Sequence, residues 1–301
     1  MRRRCAMWAS SLLAALIAAA QLPAQDATDL PAHSPKKSMF WRVSSGDRVA
    51  YLLGSIHFGS KAMYPLPAEI EDAFDGSPVL LVEADLKHLD LQKMKALAEY
   101  AGGDTLWNHV SRQVRLRLEE FCRKYGFQPA AVARLKPWVV AVMVSTVPKA
   151  RSGREAGLGI DKYFLDKADR AGKRVVEIES AESLARLSRI TGKMLEKSLA
   201  AAAGAESDQS GKRTEEIWMS GDADLLDRTL REAMSKDPIE VVEANVEERN
   251  PHMADVVEQF LKGREQAFVV VGAGHMVGRI GLVKLLEQRG YQVEQVAIRS
   301  R

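Results

Sequence analysis

Cysteine is scarce: the 301 residues hold two, Cys5 and Cys122. Cys5 lies in an N-terminal segment expected to be cleaved, and the single thiol left cannot close an intrachain disulfide. An excess of charge is missing as well. The 43 Lys and Arg stand against 40 Asp and Glu, and three of the arginines are Arg2, Arg3 and Arg4. Without them the two signs balance, which excludes a global basic footprint for nucleic acid. Long hydrophobic runs are lacking too. The apolar stretch at 7–20 is fourteen residues long and includes Ser10 and Ser11, whereas a membrane span takes about 20. No Gly-x-Ser-x-Gly elbow is present to support a serine hydrolase.

What is there reads as an ordinary globular chain, 46% hydrophobic and 28% charged, long enough to bury a sizeable core. Residues 1–24 have the parts of a secretory signal: basic residues, an apolar run, then small residues. The expectation is an exported protein, periplasmic or secreted, with no membrane span once the signal is removed. Residues 25–38 form a Pro/Ala/polar tether, and His33 goes with it. Residues 39–301 are expected to form a single domain.

Within it, strand-like runs at 39–43 and 49–56 flank a Ser-Ser-Gly-Asp hairpin turn. A short helix at 67–74 leads to an apolar interior strand at 78–83. From about 88 to 262 the pattern is helical, broken by a strand at 174–178, with 137–147 its most apolar piece. Val110, Val114, Leu118, Phe121 and Tyr125 mark one helical face. Cys122 borders that face, as a buried small hydrophobe rather than a nucleophile. The small, polar 201–213 stretch reads as a loop. A helical stripe at 253–261 follows, then strand, helix and strand at 267–271, 278–288 and 291–298.

The two ends share a pattern: an apolar strand, Gly-x-x-His, a helix and a strand, ending at His57 in one copy and His275 in the other. The fold class is therefore α/β, with two such units in one sheet and the long helical insertion packed on it. Ligands of open α/β sheets gather outside the carboxyl ends of strands. Paired units would bring His57 and His275 to one such edge, where Glu83 closes a third strand and Asp85 follows two residues later. Two imidazoles and a carboxylate suit a divalent metal with a position open for water or substrate.

Each residue also has a plainer reading. A histidine after a strand can be a turn residue, and Glu83 can simply pair with Arg249. In Glu248-Arg249-Asn250-Pro251-His252, Asn250 reads as a helix N-cap and Arg249 as a carbonyl or carboxylate ligand or a partner of Glu83. His252 is left out of the metal set. Asp161 also reads as an N-cap, His88 and His109 as surface or capping residues, and the charged 151–155 stretch as a flap or a solvated loop. Gly272-Ala273-Gly274 is not a dinucleotide loop, because Val277 stands where the third glycine should be.

Taken together, YLLGSIH at 51–57, VLLVEAD at 79–85, GLGID at 157–161, VVEIES at 175–180, ERNPHMA at 248–254 and VVVGAGHMVG at 269–278 resemble the TraB/GumN family, which includes the Tiki-type proteases. Leu184 departs from the glutamine often found there. The resemblance implies a metal-dependent hydrolase, and Tiki-type members cleave peptides with manganese or cobalt. Carried over by position, it implies His57, Glu83 and His275 as ligands of Mn²⁺, Co²⁺ or Zn²⁺. Glu83, Arg249 and Asn250 would act on a peptide or small-molecule substrate. The alternatives are a protein that binds a metal, haem or a peptide signal without turnover, or an accessory protein of envelope polysaccharide assembly.

Overall fold

Apolar runs between turn residues set six strands, and a computed structural model of the chain describes residues 37–85, 91–151, 155–179, 192–202, 206–234 and 249–298. In chain order, β1 (Lys37–Ser45) and β2 (Arg48–Ser55) are joined by a tight turn in which Gly46 takes φ 60°. Then come α1 (Ala68–Asp75), β3 (Val79–Val82), α2 (Leu91–Ala98), α3 (Arg112–Tyr125), α4 (Pro129–Val132) and α5 (Pro137–Arg151). They are followed by α6 (Ile160–Ala171), β4 (Arg174–Glu177), α7 (Gly192–Ala202), α8 (Glu206–Ser220), α9 (Ala223–Met234) and α10 (Asn250–Lys262). The chain closes with β5 (Ala267–Gly272), α11 (Ala273–Met276), α12 (Leu282–Gln288) and β6 (Gln292–Ala297).

The strands form one mixed sheet in the order β4-β3-β5-β2-β1-β6, so the chain is α/β. The four strands β4, β3, β5 and β2 run parallel, while β1 is antiparallel to both its neighbours. β2 and β5, the strands that end in Gly-x-x-His, lie side by side, with Ser55 opposite Gly272. On the other side of β5, Val82 of β3 stands opposite Val270. All six residues of β5 are buried, which accounts for its unbroken apolar sequence. Phe268 meets Phe74 of α1 edge-on at 5.5 Å and Phe164 of α6 at 4.9 Å between ring centroids, the sort of aromatic packing that anchors a core. α6 packs on β3, β4 and β5, and α10 on β2 and β5.

The chain divides into two compact units. One, holding the sheet, comprises described residues 37–85, 155–179, 210–234 and 249–298. The other is helical and comprises 91–151, 192–202 and 206–209. Residues 88–262, read from the sequence as one insertion, are thus shared between them: α6, β4, α9 and α10 carry apolar stripes that belong to the sheet unit. The helical unit has its own core, which includes Leu118, Val140 and Leu195. Cys122 is buried in it, and burial pushes its thiol up to about 11, so it is a packing residue.

One expectation fails outright. Within 201–213, residues 201–202 and 206–213 are helical rather than loop, and 203–205 lie outside the described residues. Alanine and the long polar residues there are good helix formers, and composition alone misread them as a linker. The signal, residues 25–36 of the tether with His33, His88, residues 152–154 of the expected flap and Leu184 lie outside the described residues, while Lys37 and Ser38, expected in the tether, begin β1. No described helix is long and apolar enough to cross a membrane.

Candidate functional site

The site lies at the carboxyl edge of the parallel strands, where β2, β3, β4 and β5 deliver His57, Glu83, Glu179 and His275. All four side chains are buried. The glycine that opens the first Gly-x-x-His motif lets the exits of β2 and β5 approach. A Cβ on Gly54 would stand 3.0 Å from the Cα of Ala273, so the motif needs a residue without one. Trp218, at the end of α8, donates its indole N–H to the Gly54 carbonyl at 2.5 Å and covers the same strand end.

At the β2 exit, His57 Nδ1 lies 2.7 Å from Asp161 Oδ2, and Ser55 donates its hydroxyl to Asp161 Oδ1 at 2.5 Å. Burial opposes the negative charge on Asp161, but His57 and Ser55 outweigh it and hold the carboxyl below its usual range. At the β5 exit, His275 Nδ1 lies 2.6 Å from Asn250 Oδ1. Asn250 Nδ2 donates to the Ile280 carbonyl at 2.7 Å, and a carbonyl can only accept. The amide oxygen therefore faces the imidazole, Nδ1 of His275 carries its proton, and Nε2 presents a lone pair. Burial first, then the charges of Arg249 and His57, keep His275 neutral with a pKa well below the usual histidine value.

Glu83, at the end of β3, sits beside the β5 exit. Its Oε1 accepts the Gly272 backbone N–H, and its Oε2 accepts from Arg249 at 3.2 Å. Arg249 also donates through Nε to Glu179, so one buried guanidinium spans two buried carboxylates. Desolvation raises Glu83 to about 7, against the pull of Arg249 and with the push of Glu179. Asp85 is buried two residues further on, and its backbone N–H donates to Glu177 at 2.5 Å.

All five residues expected at the site, His57, Glu83, Arg249, Asn250 and His275, are brought to this one edge. His275 Nε2 and Glu83 Oε1 face each other across 4.0 Å. Among the described residues no group of three His, Cys, Asp or Glu side chains is gathered to hold a metal ion. Arg249 and the Gly272 N–H take up the oxygens of Glu83, and this sets the direction of its carboxylate. Two histidines set aside on sequence behave accordingly. His252 is exposed, and His109 stacks on Tyr100 at 4.5 Å with its Nε2 2.7 Å from Asp104.

Two capping assignments need correction. The N-cap position of α10 is Arg249, which makes no side-chain cap, and Asn250 is the first helical residue with its amide turned into the site. In α6 the N-cap is Gly159, and Asp161 stands in the first turn with its carboxylate on Ser55 and His57. Glu179 and Ser55 were missed. Glu179 lies within VVEIES and follows a strand, as Glu83 does, and that parallel was the available signal. For Ser55 nothing in the local pattern pointed to a role.

The family model for TraB/PrgY/gumN matches residues 39–295, which include part of every strand and every site residue above. The chain belongs to that family. Similar to it are the uncharacterized proteins YbaP of Shigella flexneri and of Escherichia coli (strain K12). Each is 26% identical over 245 residues, covering 80% of this chain and 89% of the relative. An uncharacterized protein of Treponema pallidum (strain Nichols) is 23% identical over 156 residues, 50% of this chain and 46% of its own. No solved structure matches. TraB/PrgY/gumN membership agrees with the resemblance seen in the motifs.

Proposed function

We propose that this chain is an exported hydrolase dependent on a divalent metal, most simply a peptidase, acting at the edge where β2, β3 and β5 end. The observation that carries the reading is the buried pair His275 and Glu83. A neutral imidazole offers its Nε2 lone pair toward a carboxylate oxygen 4.0 Å away, about twice a zinc–donor bond. Two lone-pair atoms held this way repel unless a proton or cation lies between them, and the donor types suit Mn²⁺, Co²⁺ or Zn²⁺. His275 and Glu83 would hold the ion; His57, the third ligand the resemblance implies, is not gathered with them into a three-residue set.

When bound, such an ion supplies Lewis acidity, which polarises a carbonyl and acidifies water. The chain's own residues do the rest. If the histidines and water alone hold the ion, Glu83, raised to about 7 by its burial, can instead take a proton from water and return it to a leaving group near neutral pH. Arg249 aims the Glu83 carboxylate from one side and is itself aimed by Glu179. Asn250 keeps His275 in the tautomer with Nε2 open. Burial of the whole edge excludes bulk water, which strengthens each of these interactions.

One observation favours a second reading, capture of a ligand without turnover. Both ends of the Asn250 amide are engaged, and Arg249 already spans two carboxylates, so neither stands ready to polarise a substrate carbonyl as expected from the resemblance. The test is a peptide-library digest by the purified mature chain with Mn²⁺, after chelation, and with Glu83→Gln. Metal-dependent cleavage lost in Glu83→Gln is expected. Metal-independent cleavage, or none across the library with ligand recovered intact, would overturn the hydrolase reading.

A further inference from the structure

We infer that Asp161 is a positioning residue that decides which nitrogen of His57 is offered to the site. A carboxylate can only accept, so in the neutral ring Asp161 Oδ2 at 2.7 Å requires the proton on His57 Nδ1 and leaves the lone pair on Nε2. The other oxygen is occupied by the Ser55 hydroxyl at 2.5 Å, so the carboxylate is held from both ends and cannot turn away.

The backbone fixes the same relation. Ile160 N donates to the Ile56 carbonyl at 3.0 Å, which ties the first turn of α6 to the strand exit one residue before the imidazole. Gly159 lies flush against His57, and a Cβ there would collide with the His57 carbonyl oxygen. The Gly157-Leu158-Gly159-Ile160-Asp161 segment is therefore a clamp on the β2 exit: glycine permits the approach and aspartate uses it. Asn250 does the same for His275 with a neutral amide. Two unlike acceptors thus impose one tautomer on both neutral rings, with the lone pair on Nε2 in each.

That the bound partner is a divalent ion rests on the function proposed above; the tautomer does not, and the two are tested separately. In ¹⁵N-histidine-labelled, metal-free protein at a pH where the rings are neutral, long-range ¹H–¹⁵N correlation reports which nitrogen is protonated. Wild type is expected to show His57 protonated at Nδ1. Asp161→Ala shifts His57 toward the Nε2–H form, leaves His275 unchanged, and is not copied by Ser55→Ala. A wild-type His57 protonated at Nε2 overturns the inference even if Asp161→Ala fails to fold, as does an unchanged tautomer in a folded Asp161→Ala. Co²⁺ alone, titrated by absorbance, is then expected to bind Asp161→Ala about 10–100-fold more weakly than wild type. Equal affinities overturn the positioning role. Absence of Co²⁺ binding to wild type overturns the metal reading and leaves the tautomer result standing.

Discussion

The exits of β2 and β5 begin from one pattern, Gly-x-x-His at the end of an apolar parallel strand, and reach their shared orientation by different chemistry. At β2 the ring is held by an anion, Asp161, brought in by α6. At β5 it is held by an amide, Asn250, brought in by α10, beside a cation that helps keep His275 neutral. Similar backbone geometry therefore does not give equivalent histidines. His57 has a partner that favours positive charge, and His275 has surroundings that oppose it.

The largest way to break this contrast is to remove the cation. Arg249→Ala leaves Glu83 and Glu179 buried with no countercharge, and breaking a buried pair in this way costs about 3–5 kcal/mol. Chemical denaturation should show that loss, and in protein that remains folded His275 should become easier to protonate while Asp161 keeps His57 as it was. An unchanged denaturation midpoint would mean that the guanidinium is not the linchpin of this edge.

The next effect is in the pH dependence of stability, where the two carboxylates have opposite signs. Glu83 is raised in the folded state, so the native form holds more protons than the unfolded one between the ordinary glutamate range and about 7. Its contribution falls as pH rises through that window, by up to about 3 kcal/mol. Asp161 is lowered, so its contribution is present above the ordinary aspartate value and is lost as pH falls through its folded one. Unfolding free energies at pH 5 and pH 8 should show Glu83→Gln gaining on wild type at the higher pH. A constant difference at both would remove Glu83 as the group responsible.

The smallest test makes the two corners alike. Asn250→Asp gives His275 an anionic acceptor, which should raise its pKa by about one unit or more in an NMR titration. It also takes the amide donor from the Ile280 carbonyl, at about 1–3 kcal/mol. If His275 titrates as before, the amide is not what distinguishes the corners.

Much of this edge was legible because it was written locally. Apolar runs bounded by Gly, Pro and Asp gave β2, β3 and β5 within a residue or two, and the repeated Gly-x-x-His pattern implied that their ends would meet. What stayed hidden depends on side chains crossing long stretches of sequence. Asp161 reaches Ser55 and His57 over 106 and 104 residues, and Arg249 reaches Glu179 and Glu83 over 70 and 166. Locally, an aspartate or asparagine at a helix start has capping as its simplest use. Only the backbone shows that Gly159 and Arg249 hold the cap positions, which releases Asp161 and Asn250 for the rings. Residues 201–213 failed for the opposite reason: composition was weighed without allowing for the helix propensity of Ala, Glu and Gln.

The neighbour relation of β2 and β5 also has a temporal side. Leu53 pairs with Val270, so the two histidines share an edge only once nearly the whole polypeptide exists. Such distant pairing is slow to form, because a long loop must close before any contact repays it. A chain interrupted before residue 267 would not carry a weakened centre. It would lack His275 and the Gly272 amide that donates to Glu83, so a chain ending before residue 267 has only half of this edge.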